Sequence, residues 1–205
     1  MPRILIATGN THKTAEIGQI LGSQFEISDL SEHPNIPIPE ETGDTFLENA
    51  TIKAVEVSKY FEGLVLSDDS GLEVDALDGA PGVRSARYAG EKPTDAENRD
   101  KLLRELSRIK EQGDQSGISP SARFHCVMVL ARAGEKMASF DGRVEGRIIE
   151  ESRGGGGFGY DPLFVPDGYE QTFAELPAAI KNGLSHRGRA LEKAKAFLMG
   201  MPSEH

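Results

Sequence analysis

The chain has 205 residues, 38% of them hydrophobic and 27% charged, with 33 acidic against 23 basic side chains and a formal charge of −10. That length suits one domain with a substantial core. The acidic excess argues against a nucleic-acid polymer as the main ligand, since such binding draws on many Lys and Arg. A small phosphate ligand stays open, because a few local cations and a metal reverse the sign of one site. The single cysteine, Cys126, excludes an internal disulfide framework, suits a reducing compartment and, in its apolar stretch, reads as a core residue. No apolar run approaches a membrane span, and no basic segment precedes an apolar one at the N-terminus. The expectation is a cytoplasmic protein with no membrane partner.

The aliphatic run 2–7 reads as a strand, followed by a loop over Thr8-Gly9-Asn10-Thr11-His12-Lys13 and a helix carrying Ile17, Ile20 and Leu21. A short strand is expected at 25–27, then an irregular, proline-rich connection over 31–39. The stripe Phe46, Ala50, Ala54, Val57 and Phe61 predicts a helix over about 44–61, ended by Gly63. Residues 64–66 form a strand feeding Ser67-Asp68-Asp69-Ser70-Gly71, with 72–74 extended and a turn at 78–82. A helix over 94–111 starts on a Thr cap and carries Leu102, Leu103, Leu106 and Ile109. Residues 113–121 read as a surface loop. Strands over 124–131 and 135–149 pair through a turn at Ala133-Gly134. Four glycines at 154–157 precede a short strand through Val165, and a last helix spans about 184–199. Alternating helices and strands predict an α/β domain with a mixed central sheet and flanking helices.

The acidic segment carries the strongest chemical signal. Adjacent carboxylates raise each other's pKa unless a cation offsets the repulsion, and hard oxygen ligands suit magnesium. Asp, Ser and Gly also cluster in ordinary turns. The first loop has the same two faces. A strand-to-helix loop with Lys13 is a phosphate cradle at a helix N-terminus, or simply a turn; it lacks the Walker spacing. Glu40 and Glu41 precede a helix and complement its dipole, while Asn49 and Lys53, four apart, share a face and are placed to reach one ligand. The glycine run either links two elements or lets backbone approach a flat ligand, with Phe158 or Tyr160 to stack on it. Lys181, His186 and Arg187 ahead of a helix oppose its dipole, a cost that an acceptor-rich ligand offsets.

Together these segments resemble the inosine/xanthosine triphosphate pyrophosphatases, the house-cleaning enzymes for non-canonical purine nucleotides. The resemblance rests on Ala7-Thr8-Gly9-Asn10 with Lys13, on Glu41-Thr42-Gly43 with Phe46, Glu48, Asn49 and Ala50, and on Asp68-Asp69-Ser70-Gly71-Leu72. Gly79 to Tyr88, Gly157-Phe158-Gly159-Tyr160-Asp161-Pro162 and Ser185-His186-Arg187 complete it, in the family's order across nearly the whole chain.

The resemblance implies a single 1–205 domain of two lobes around a nucleotide cleft, acting on ITP, dITP and XTP to give the monophosphate and pyrophosphate. It implies Mg2+ as cofactor, held by Glu41 and Asp69, with Asp69 as proton acceptor and Asp68 a neighbouring candidate. Thr8, Gly9, Asn10, Thr11, His12 and Lys13 would hold phosphates, with Ser70 at the substrate and Lys53 a further phosphate contact. Phe158, Gly159, Tyr160, Asp161, Lys181, His186 and Arg187 form the base-binding set. A homodimer is the family's usual assembly. On this reading Arg187→Ala harms ITP turnover far more than folding. The alternative is a Maf-type nucleotide pyrophosphatase with another base preference, against which the Phe158 to Asp161 segment and Ser185-His186-Arg187 speak. A non-catalytic nucleotide sensor would bind ITP tightly and release no pyrophosphate.

Overall fold

The computed structural model describes residues 1–111 and 120–201. Its elements run β1 (Arg3–Ile6), α1 (Thr11–Leu21), β2 (Glu26–Asp29), α2 (Phe46–Ser58), β3 (Leu64–Val74), α3 (Asp95–Glu111), β4 (Ser121–Arg132), β5 (Glu135–Ile148), β6 (Phe164–Pro166), α4 (Ala178–Leu184) and α5 (His186–Met199). Short 3-10 turns occupy Asp75–Leu77, Gly82–Arg87 and Asp161–Leu163. The strands hydrogen-bond in the order β2-β1-β3-β4-β5-β6. β1 pairs parallel with β2 and β3, while β6 pairs antiparallel with β5, so the sheet is mixed as expected.

The chain divides into two compact units. Unit 1 comprises Met1–Asp69, Cys126–Gly142 and His186–His205; unit 2 comprises Ser70–His125 and Arg143–Ser185. Each has a core of its own. In unit 1, Ile4, Ile6, Leu64 and Leu66 of the parallel strands pack with Ile17 and Leu21 of α1, Met128 and Leu130 of β4 and Leu191 and Ala194 of α5. β1 is apolar on both faces, as a parallel strand covered on both sides must be. Cys126 is fully buried here, and burial pushes its thiol pKa up, which fits an inert core residue. In unit 2, Leu102 and Leu106 of α3 pack with Phe124, Val144, Leu163, Phe164 and Phe173. Phe124 and Phe173 lie nearly parallel at 5.8 Å, and Phe164 meets Phe124 edge-on at 4.8 Å.

Local chemistry explains where elements begin and end. α2 opens with a capping box: Thr45 accepts from the Glu48 N–H at 3.1 Å, and the Glu48 carboxylate returns to the Thr45 N–H at 3.1 Å. The helix is therefore shorter than 44–61, and Phe61 packs from beyond its end. Thr94 and Glu97 make the same reciprocal pair at the start of α3. Ala133 and Gly134 both take positive φ, 50° and 83°, the turn that matches the twist of a β4–β5 hairpin.

Three expectations are corrected. The first loop is only residues 8–10, because Asn10 caps α1: its Oδ1 accepts the Lys13 N–H at 3.4 Å and its carbonyl the Thr14 N–H at 3.2 Å. The helix expected over about 184–199 is α5, which starts only at His186; a helix not expected, α4, precedes it and ends at Ser185, whose backbone is extended while its N–H bonds the Lys181 carbonyl at 2.9 Å. The acidic segment is neither a strand end nor a turn, since β3 runs unbroken from Leu64 to Val74. The loop expected over 113–121 falls mostly outside the described residues, and Ser121 already opens β4. Among the described residues no helix is long and apolar enough to cross a membrane.

Candidate active site

In unit 1 the acidic segment becomes a charged cluster. Ser67 anchors β3 to α2 by donating to the Ala50 carbonyl at 2.6 Å. Successive strand residues point to opposite faces, so Asp68 and Asp69 do not confront each other as their adjacency suggested. Asp68 is 2% exposed; Lys13 Nζ lies 3.1 Å and 3.0 Å from its two oxygens, and Arg187 Nη2 3.5 Å from Oδ2. Arg187 Nη1 meets Glu16 at 2.6 Å. On the other face Lys53 Nζ bonds the Asp68 carbonyl at 2.7 Å and Glu41 Oε1 at 2.6 Å, with Asp69 Oδ1 at 3.9 Å.

These surroundings push the two aspartates apart. Burial raises the Asp68 pKa, but Lys13, Arg187 and Lys53 more than offset it, so this carboxyl lies well below the usual range and is a permanent anion. Asp69 goes the other way, up to about 6. Burial is the main cause, Lys53 opposes it, and the neighbouring charge of Glu41 adds to it. The carboxylate that strains Asp69 is therefore Glu41, reached through the fold, and not its sequence neighbour. Burial lowers the Lys53 pKa, yet Asp68, Asp69 and Glu41 together leave it raised and the amine charged.

The first loop leads into α1 with Thr8 Oγ1 accepting the Asn10 N–H at 3.1 Å, which orders the backbone ahead of the helix N-terminus. Gly9 lies within this loop, Thr11 begins α1, and His12 belongs to it with its side chain outside the described set. Asn49, wholly buried on α2, accepts the Gly43 N–H at 2.8 Å and fixes the backbone just after Glu41.

In unit 2 the glycine-rich segment forms a second cluster. Asp161 Oδ2 accepts the Phe158 N–H at 2.9 Å and the Lys181 ammonium at 2.8 Å. Gly157 has φ 72°, and a Cβ there would sit 2.1 Å from Asp161 Oδ2, so only glycine lets the carboxylate fold back. Lys181 Nζ stands over the Phe158 ring, 5.2 Å from its centre. Gly159 is clamped by α3: its N–H donates to Asp95 at 2.7 Å and its carbonyl accepts from Arg99 at 2.7 Å. Tyr160 is buried in the core, with its hydroxyl donating to the Ser85 carbonyl at 2.9 Å. Of the two aromatic candidates, Tyr160 is thus committed to the core. Ser70 continues β3 as the first residue of unit 2.

The break at Ser185 makes His186 and Arg187 the first residues of α5, both buried. The Arg187 guanidinium pairs with Glu16 and Asp68, so its loss bears on the fold as well as on turnover. Glu16, Asp95 and Arg99 were not singled out from sequence. The only signal was helical spacing: Glu16 is three residues from Lys13, and Asp95 and Arg99 are four apart.

Comparisons with known proteins give this arrangement a family. Residues 4–197 match the model described as the Ham1 family. The chain belongs to that family. It is 47% identical to a protein of Halalkalibacterium halodurans named dITP/XTP pyrophosphatase, over 97% of this chain and all of that one. A Listeria monocytogenes protein of the same name is 45% identical over 97% of this chain and 96% of its own length. Among solved structures, a HAM1 protein from Coxiella burnetii superposes with a TM-score of 0.86 at 41% identity, covering 98% of this chain and 100% of the other. A nucleoside-triphosphatase / dITP/XTP pyrophosphatase from Mycobacterium abscessus gives 0.71 at 39% identity, covering 97% and 100%. The resemblance read from the motifs is borne out for the family and for the fold.

The Ham1 cluster also bears on a metal. Among the described residues no three His, Cys, Asp or Glu side chains are grouped as a closed metal cage. Glu41 and Asp69, two hard oxygen donors sharing one ammonium, are a different kind of site. Magnesium is commonly bound by one or two carboxylates together with water and substrate phosphates, and this pair fits that pattern.

Proposed function

We propose that this chain hydrolyses the non-canonical purine nucleoside triphosphates ITP, dITP and XTP to the monophosphate and pyrophosphate, keeping them out of nucleic acids. The observation that carries the reading is Asp69: a buried carboxylate beside Glu41 and Lys53, with a pKa near 6, in a chain of the Ham1 family. A base with that pKa is mostly ionised at neutral pH and still accepts a proton readily, as general-base catalysis requires.

In this mechanism Asp69 takes the proton from a water that attacks the α-phosphorus. The leaving pyrophosphate gathers negative charge, which Lys13 and Lys53 offset. The backbone N–H groups at the start of α1 receive phosphate oxygens, with Thr8 to Lys13 holding the chain in place. Mg2+, held by Glu41 and Asp69, supplies further charge neutralisation when bound. Asp68 is not a metal ligand in this scheme; as a permanent anion it holds Lys13 and Arg187 in position.

The purine is assigned to Phe158, as stacking surface, and to donors that meet a 6-oxo group. Lys181, oriented by Asp161, is one donor; backbone N–H groups of the same glycine-rich segment are others. Adenine carries an amino group at that position and would face donor with donor, the kind of mismatch that rejects strongly. A homodimer in the cytoplasm completes the proposal.

A pyrophosphate-release assay over ITP, dITP, XTP, GTP, ATP and dUTP, with and without Mg2+, tests it. Metal-dependent release from the first three is expected. Release from dUTP in preference to ITP would favour the Maf-type alternative, and tight ITP binding without release would make the chain a sensor.

A further inference from the structure

The position of Lys53 goes a step beyond that reading and rests on it. Its ammonium is held by the Asp68 carbonyl at 2.7 Å and Glu41 at 2.6 Å, with the Asp69 carboxylate facing it at 3.9 Å, and the residue is only 8% exposed. The two carboxylates in that set are the pair assigned to the metal. We propose that Lys53 is a resident cation: in the nucleotide-free protein it neutralises Glu41 and Asp69, and so competes with the divalent metal for them.

The physics is direct. A buried carboxylate, Asp69, and a half-buried one, Glu41, need a counter-charge, and Lys53 supplies it while nothing else is bound. A divalent ion arriving alone must either expel the lysine from these contacts or tolerate like-charge repulsion at short range. A triphosphate changes the balance, because it gives the ammonium another anion to pair with and brings oxygen ligands of its own. Metal and triphosphate therefore favour each other's binding, and coupling of that kind is reciprocal. The protein would have little affinity for free metal and acquire it together with its substrate. Lys13 cannot take the same part, since it is spent on Asp68.

Titrating Mn2+ alone into the nucleotide-free protein, followed by electron paramagnetic resonance, tests this. Lys53→Met and Lys53→Gln should each bind Mn2+ about tenfold more tightly than the parent, within the usual range of coupling between sites. ITP hydrolysis should fall in both. Glu41→Gln should lose the Mn2+ signal, which assigns the measured site to this pair. Equal or weaker Mn2+ binding by both lysine variants would overturn the proposal. Should neither variant fold, the parent decides: amine-reactive labelling of Lys53, read by peptide mass spectrometry, should rise several-fold once Mn2+ alone is raised until electron paramagnetic resonance shows the site filled. Unchanged labelling overturns it. Normal ITP hydrolysis by the parent without tightening in the variants sinks this inference alone. Tightening without ITP hydrolysis by the parent sinks the proposed function alone.

Discussion

The two charged clusters are built on opposite principles. In unit 1, Lys13, Lys53 and Arg187 face Glu16, Glu41, Asp68 and Asp69, so three cations are linked by ion pairs to four carboxylates. In unit 2, Asp161 meets Lys181 beside an aromatic ring. The first is short of positive charge and keeps one carboxylate at a raised pKa, which suits the proposed binding of a cation and transfer of a proton. The second pairs a carboxylate with an ammonium beside an aromatic ring, which suits the proposed recognition of a base by shape and hydrogen bonding.

The sharpest way to break that contrast is Asp69→Asn, which removes the excess negative charge and keeps the shape. Hydrolysis of ITP should fall about 10³-fold, in the range for loss of a general base, while nucleotide binding measured by calorimetry survives. Stability should move the other way. The folded pKa of Asp69, about 6, lies above its ordinary 3.8. Its contribution to stability is therefore intact below about pH 4 and is lost as pH rises through 6. At pH 7 without metal the variant should be more stable by about 2–3 kcal/mol. Thermal unfolding of both proteins at pH 4 and pH 7 reads this out: the gap should be present at pH 7 and absent at pH 4.

Arg187→Ala probes the paired side of unit 1. It leaves Glu16 and Asp68 without their guanidinium, and removing one partner of a buried ion pair costs about 3–5 kcal/mol. The melting temperature should drop by roughly 10 °C, so lost turnover in this variant would not by itself place Arg187 on the purine. An unchanged melting temperature would return Arg187 to the role expected from sequence. In unit 2, Phe158→Ala should raise the KM for ITP about tenfold, the usual worth of one base stacked on an aromatic ring. The smallest effect belongs to Thr45→Ala, which removes the α2 cap and should cost about 1 kcal/mol in thermal unfolding.

Much of this was legible in the residues, and the failures share a cause. Hydrophobic periodicity located α2, α3 and the β4–β5 hairpin, and the motifs led to the family. The element ends went astray where a polar side chain caps a helix, as at Asn10 and Thr45, or a backbone N–H closes one, as at Ser185, because capping depends on a few local hydrogen bonds that periodicity does not register. Reading Asp68-Asp69 as a strained pair was wrong for a different reason. Strand alternation separates neighbours in sequence and joins Asp69 to Glu41, 28 positions earlier. The partners of Arg187, Glu16 and Asp68, were equally hidden, since only folding brings them to it.

Turnover of ITP in oxygen-18 water with Mg2+, alongside ATP under the same conditions, tests the central claim most directly. If an Asp69-activated water attacks the α-phosphorus, the label appears in the monophosphate, pyrophosphate is unlabelled, and ATP is consumed at least about 100-fold more slowly. Label in the pyrophosphate or in free phosphate, or ATP consumed at the same rate, would contradict the account.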